Sequence, residues 1–223
     1  MNLSDFTEED LKELAKQLSQ PNGDMGIQVA NTMNETNITM TLNAISHLNV
    51  NQDSRILEIG HGNARHLSDL INNYKPIKYF GLEVSELMYA EAKVINEKYI
   101  SQNKAEFHLY DGHTIPFEDD NFDRIFTVNT IYFWDDPMLF INEIYRVLKP
   151  NGRGCICFVH KESMKTLPFT KWGFEFYDQK RIENLIGQTS FKIEAFPDFE
   201  EQILSKVGEK VTRKFHTLVL RKS

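Results

Sequence analysis

The sequence predicts a doubly wound α/β fold, with a mostly parallel seven-stranded sheet, an antiparallel edge strand and an N-terminal helical cap. Three observations predict it. From Arg55 onward, short apolar runs alternate with amphipathic stretches, as parallel strands with helical crossovers do. A glycine-rich turn, Gly60-His61-Gly62-Asn63-Ala64, follows the first of these runs. The last two runs, 190–196 and 214–221, alternate in the manner of antiparallel strands that close one edge of a sheet.

Thr7 reads as a helix cap, with Glu8, Glu9 and Asp10 in the first turn and Phe6 placed to staple against Leu11. Leu11, Leu14, Ala15 and Leu18 form one apolar face, which Pro21, Asn22 and Gly23 terminate; Gly26 is expected to loosen the same loop. Ile38, Leu42 and Ile45 mark a second helix, so residues 1–50 read as a cap on a main domain of 51–223. Strands are expected at 55–60, 77–82, 105–110, 123–129 and 153–159. One intervening helix presents Met88, Ala92, Ile95 and Tyr99, and another presents Ile141, Ile144, Tyr145 and Leu148. The latter ends in the turn Lys149-Pro150-Asn151-Gly152, and a shorter helix after Asp178 stops at Gly187.

With 223 residues, 41% of them hydrophobic, the chain is long enough for a single α/β domain. A net charge of −7 disfavours a nucleic-acid partner, which clustered Lys and Arg would hold. Cys155 and Cys157 share one face of a strand and read as buried core thiols of a reducing compartment. The N-terminus lacks the apolar core of a signal peptide and no stretch is long enough to span a bilayer, so a cytoplasmic location is expected.

In a doubly wound sheet, ligands bind at the carboxyl ends of the strands, where the strand order reverses. Glu58 stands two positions before Gly60; a carboxylate there repels a pyrophosphate and attracts an ammonium group. Gly60 and Gly62 let the backbone approach a ligand where a Cβ would obstruct it. Glu83 ends the second strand and offers two oxygens to the hydroxyls of a ribose, while Ser85 caps the next helix. Asp111-Gly112 ends the third, placing a carboxylate and an amide for an adenine edge, and Asn129 ends the fourth.

The ordered segments ILEIGHGNA, GLEVSELMYAEA, FHLYDGHTIPFEDDNFDRIFTVNTIYFW and EIYRVLKPNGRGCICF resemble the class I S-adenosylmethionine-dependent methyltransferases, small-molecule branch, over roughly residues 35–220. The resemblance implies a Rossmann-like fold and S-adenosylmethionine as cofactor. It further implies that Glu58 holds the methionyl amine directly or through water, that Gly60 and Gly62 line the methionyl and sulfonium region, and that Glu83 binds the ribose. Val84 flanks the adenine, Asp111 and Gly112 read its edge, and Asn129 adds a backbone contact. The chain departs from the family pattern at Ala64 and Asn151, both commonly glycine; Ala is small, and Asn tolerates the left-handed conformation.

Methyl transfer is an in-line displacement, so alignment alone can supply much of the acceleration and a general base is optional. His160, after the fifth strand, and Tyr132, at the mouth beside Asn129, are the catalytic candidates. His61 lies in the glycine loop in reach of substrate or cofactor, and His113 packs near the adenine; His61 and His66 have no third ligand at a convincing spacing, so no metal is expected. Asp136 reads as the cap of a helix whose first residue is Pro137. The aromatic insertion 161–177 suggests a pocket wall or lid, or else packing against the N-terminal helices. The acceptor expected is a small, partly apolar molecule; the alternatives are an RNA or protein methyltransferase, or a protein that binds the cofactor without catalysis.

Overall fold

Ile56, Leu57 and Ile59 are all inaccessible to solvent, as neighbours on a strand can be only when both faces of the sheet are covered. The computed structural model describes residues 6–74, 76–204 and 210–223. Five strands, β1 Ser54–Ile59, β2 Ile77–Glu83, β3 Ala105–Leu109, β4 Phe122–Val128 and β5 Leu148–Val159, pair in parallel in the order β3-β2-β1-β4-β5. The order therefore reverses between β1 and β4, which opens a crevice at their carboxyl ends.

The described residues form eight strands rather than the expected seven. β6 Phe191–Ala195, β7 Asp198–Leu204 and the long β8 Lys210–Lys222 are antiparallel, with β8 against β5 on one side and against β6 and then β7 on the other. The acidic run DFEEQIL carries little intrinsic strand signal. It becomes β7 because β8 supplies both an edge and opposing charges: Glu200 and Glu201 lie across from Lys214 and Arg213 and form ion pairs with them.

The helices are α1 Glu8–Ser19, α2 Gly23–His47, α3 Leu67–Asn73, α4 Glu86–Ile95, α5 Glu97–Ser101, α6 Pro137–Val147, α7 Lys161–Lys165 and α8 Gln179–Ile186. Caps form where the sequence placed them: Thr7 and Asp10 close a capping box, and Ser85, Asp136 and Asp178 accept from backbone amides of α4, α6 and α8. Asn151 takes the left-handed conformation, φ 64°. Cys155 and Cys157 are buried and free.

Three details depart from expectation. Gly26 lies inside α2, not in a loop, where an added Cβ would come within 2.9 Å of Leu87 and of the Pro21 backbone, so its lack of a side chain lets α2 sit close to α4. The face of α2 on the sheet is Met40, Ala44 and Ile45 with Leu48 beyond them, whereas Leu42 is exposed. The helix expected through Tyr99 breaks at Asn96, whose buried amide donates to the carbonyls of Ala92 and Ala64 and so ties the break to the glycine turn. Among the described residues, no helix is long and apolar enough to cross a membrane.

Candidate active site

A cleft of about 460 Å³ lies over the carboxyl ends of β1–β4, within the range of roughly 300–1,000 Å³ that suits small-molecule and cofactor sites. Its floor is the turn after β1. Gly60 (φ 73°), Gly62 (φ 56°) and Ala64 (φ 49°) all adopt left-handed backbone there. A Cβ on Gly60 would come within 2.3 Å of Thr130 Cγ2, and the Thr130 hydroxyl is held 2.5 Å from that of Thr127. A Cβ on Gly62 would meet no atom of the described residues within 4 Å. Gly60→Ala is therefore expected to combine a clash with about 1–2 kcal/mol of backbone strain, lowering the melting temperature by several degrees in a calorimetric scan. Gly62→Ala, which strains the backbone without a clash, should destabilise less; an equal loss from the two variants would refute the packing argument.

Glu83 is buried at the end of β2 and its carboxylate accepts from three backbone amides: Oε2 from Gly62 (2.9 Å), and Oε1 from Val84 (2.9 Å) and Ser85 (3.1 Å). Burial pushes this carboxyl up to about 7, the amides working in the opposite direction. The acid clamps the glycine turn to the start of α4 while facing the cleft.

Glu58 also lines the cleft, but its Oε2 is shared between His66 Nε2 (2.8 Å) and the Tyr79 hydroxyl (2.5 Å). Burial pushes the Glu58 carboxyl up, but the charge and hydrogen bond of His66, with the Tyr79 hydroxyl, outweigh it and hold the group below its ordinary value. His66, which burial pushes down, is in turn raised by Glu58. His61 turns its ring under the loop. A Cβ on Gly81 would come within 2.6 Å of that ring, Phe107 meets it edge-on, and Nδ1 lies 2.7 Å from the Gly62 carbonyl. That carbonyl can only accept, so Nδ1 carries the proton, and burial pushes the imidazole down to about 4. Its Nε2 is buried and has no hydrogen-bond partner among the described residues.

Across the cleft, Asp111 Oδ1 accepts from the amides of His113 and Thr114 (2.8 Å each) in a local turn. Those bonds hold the exposed acid below its ordinary range. Gly112 is left-handed (φ 84°), and a Cβ there would sit 3.4 Å from Val84 Cγ1. The cleft thus gathers every binding residue named from the sequence: Glu58, Gly60, Gly62, Glu83, Val84, Asp111, Gly112 and Asn129. His113 is exposed at its rim, 3.7 Å from Asp135.

A second chamber of about 100 Å³ adjoins the cleft and shares Leu18, Met33, Asn37, Asn129 and Phe133 with it as a common wall. From the aromatic insertion, Phe169 and Phe174 line this chamber, whereas Trp172 packs with the cluster around α1. Tyr132 forms part of the wall, but its hydroxyl is spent: it donates to Asn129 Oδ1 (2.9 Å) and accepts from the Val159 amide (2.6 Å). Burial pushes the phenol well above its usual range. His160 lines neither chamber. Side chains alternate along β5, and Cys157 faces the Thr217–Asn43 contact with α2, so Phe158 and His160 fall on the other face.

α2 contributes polar side chains to the cleft that apolar periodicity does not signal. Asn34, Asn37 and Thr41 line the cleft, and Asn31 accepts from Asn63 in the glycine turn (3.4 Å). Asn31, Asn34 and Asn37 recur every three residues on one helix face, a polar stripe that a search for apolar periodicity passes over. Arg213 anchors that stripe to the β7–β8 ribbon, donating to Asn37 Oδ1 (3.1 Å) and to Glu201 (2.7 Å).

Residues 57–156 match a family model described as a methyltransferase domain. A Bacillus subtilis protein named as a methyltransferase, YrhH, is 30% identical over 109 residues, 49% of this chain and 59% of that protein. The demethylmenaquinone methyltransferase of Lactococcus lactis is 30% identical over 167 residues, 69% of this chain and 64% of that one. The chain thus spans about three fifths of the length of these two relatives. Among solved structures, an S-adenosylmethionine-dependent methyltransferase from Aquifex aeolicus superposes with a TM-score of 0.64 at 18% identity, covering 95% of this chain and 98% of its own, a likeness of fold.

Proposed function

We propose that the chain, whose residues 57–156 match a methyltransferase domain model, is a class I S-adenosylmethionine-dependent methyltransferase that transfers the methyl group of S-adenosylmethionine to a small, partly apolar acceptor by in-line displacement. The observation that carries this reading is the pair of adjoining chambers, the larger one the more polar and lined by left-handed glycines and carboxylates, the other small and mainly apolar. S-adenosylmethionine supplies a methyl carbon already activated by a sulfonium. The chain's own part is to hold the cofactor and align the acceptor. Glu83 offers its carboxylate to the ribose hydroxyls, Val84 and the Gly112 backbone flank the adenine with Asp111 at its edge, and Asn34, Asn37 and Glu58 lie at the methionyl end. The open space at Gly62 suits the close approach of a ligand to the backbone.

The small chamber argues for the acceptor class. A cavity of about 150 Å³ lined by aliphatic and aromatic side chains holds benzene. A chamber of about 100 Å³ therefore takes an alkyl or small unsaturated end, or a ring once Phe133 and Phe174 shift. Its lining includes no Asp, Glu, His or Lys among the described residues. Acceleration then rests on alignment, worth up to about 7–11 kcal/mol in well-oriented reactions, and the acceptor brings a nucleophile reactive on its own account. Tyr132 builds the wall and orients Asn129 rather than moving a proton.

Calorimetric titration of the full chain should show saturable, one-to-one binding of S-adenosylmethionine and S-adenosylhomocysteine; no binding of either would sink the proposal. With a panel of small thiols, amines and phenols as acceptors, Phe174→Ala should raise the acceptor KM about tenfold or more, as for loss of a buried aromatic wall. The same variant should leave cofactor affinity within about twofold. An unchanged KM would remove the small chamber from the acceptor site.

A further inference from the structure

On the face of the sheet turned away from the cleft, three donor atoms borne on neighbouring strands converge on one point. His160 follows β5 directly, His216 lies on β8, and Asp198 opens β7 opposite His216 in the ladder. Asp198 Oδ1 is 2.5 Å from His216 Nδ1 and 3.3 Å from His160 Nε2, and the three candidate ligand atoms all lie within 4.8 Å of one another. We propose that His160, Asp198 and His216 form a binding site for a divalent transition-metal cation, zinc(II) foremost, that ties the β7–β8 ribbon to the end of the parallel sheet.

Two imidazole nitrogens and one carboxylate oxygen suit a borderline cation such as zinc, whereas magnesium and calcium prefer oxygen shells. The site is built by the ladders rather than by loose surface chains. Register pairs His216 with Phe158 on one side and with Asp198 on the other, and the His160 amide donates to the Lys214 carbonyl at 2.9 Å. His216 is nearly buried, with the rings of Phe158 and Phe196 each 5.1 Å away, so its orientation is fixed by packing. The Asp198 side chain is 58% exposed, which leaves that side open for water to complete a tetrahedral shell. The two imidazoles stack with centroids 3.7 Å apart. A metal lies in the plane of each imidazole it ligates, so binding requires the stack to splay. His160, the more exposed of the pair, is the ring that turns. The consequence reaches the other face of the sheet: the ribbon that the ion would stiffen carries Ile203, Val211 and Arg213, all part of the small chamber's wall.

The test uses the full chain, stripped with a chelator and titrated with zinc(II) alone, without cofactor, so its outcome is independent of methyl transfer. One ion per chain should bind, the melting temperature should rise with zinc concentration, and cobalt(II) at the same site should give visible absorption bands of low-coordinate geometry. Asp198→Asn and His160→Gln, which keep the side-chain shape or change a partly exposed strand end, should each weaken zinc at least tenfold and abolish the thermal shift. His108→Gln, on β3, should not. Absence of stoichiometric zinc binding would overturn the proposal, as would Asp198→Asn and His160→Gln variants that bind zinc as tightly as the His108→Gln control.

Discussion

Glu83→Ala is expected to reduce S-adenosylmethionine affinity by about a hundredfold or more, since charge-assisted hydrogen bonds contribute about 1.5–3 kcal/mol each and two ribose hydroxyls would be lost. The substitution also strands the amides of Gly62, Val84 and Ser85, at about 1–3 kcal/mol for each donor that water does not reach. Glu83→Gln separates these effects, because it keeps the shape and one acceptor oxygen. It still accepts from Val84 and Ser85 but turns an NH2 toward the Gly62 amide, so it should lose about 1–3 kcal/mol of stability, less than Glu83→Ala, yet still lose most cofactor affinity. The pH dependence has a definite sign. A carboxyl raised to about 7 holds its proton more tightly folded than unfolded, so its contribution to stability is complete below the unfolded value near 4.5 and is lost as pH rises through 7. Cofactor binding runs the other way, because the ribose hydroxyls favour the ionised acid. Affinity should rise by about tenfold between pH 6 and 8 and then level off, with a flat profile for Glu83→Gln. Calorimetric titration across that range reads both, and a Glu83→Gln variant within threefold of the parent at pH 8 would place the ribose elsewhere.

Glu58→Ala should be the most destabilising single change in the site. It removes the acceptor shared by His66 and Tyr79 in a buried setting, and breaking such a pair costs about 3–5 kcal/mol, a large part of a domain's usual margin of about 5–15 kcal/mol. Glu58→Gln supplies the soluble comparison. The lowered Glu58 carboxyl contributes stability that is present above its unfolded value and lost as pH falls through the folded one. The raised His66 contributes stability that is present below its unfolded value and lost as pH rises through the folded one. The stability difference between parent and Glu58→Gln in urea should therefore peak between the two unfolded values, from about pH 4.5 to 6.5, and shrink on either side. A difference independent of pH from 4 to 8 would show that the pair is not ionised.

The position of Glu58 is legible in the sequence, whereas its partners are not. Its place two residues before Gly60 marks the strand end and the cleft, and both hold. The negative charge assigned to it, however, is shared with His66, a partner eight residues away that meets it only because the turn folds back. Tyr132 and His160 both lie close in sequence to strand ends, which makes them catalytic candidates from sequence alone. The first has its hydroxyl enclosed by Asn129 and Val159, and the second is carried to the far face by the alternation of β5.

What the sequence determined by itself was the set of local commitments: five parallel strands, the caps at Thr7, Ser85, Asp136 and Asp178, the left-handed Asn151, and the acids at the strand ends. Each depends on neighbours within a few residues, through propensity, capping and burial period, so composition and spacing suffice to read it. Long-range packing alone sets β7, the break at Asn96, the asparagine stripe of α2 over the cleft and the meeting of His160, Asp198 and His216. These depend on partners far along the chain: an edge of β8 that offers Lys214 and Arg213 to an acidic segment, a carbonyl of Ala64 that draws in an amide, and two ladders that align residues 38 and 18 positions apart. Such pairings are set by strand order and register, which no local window of the sequence contains.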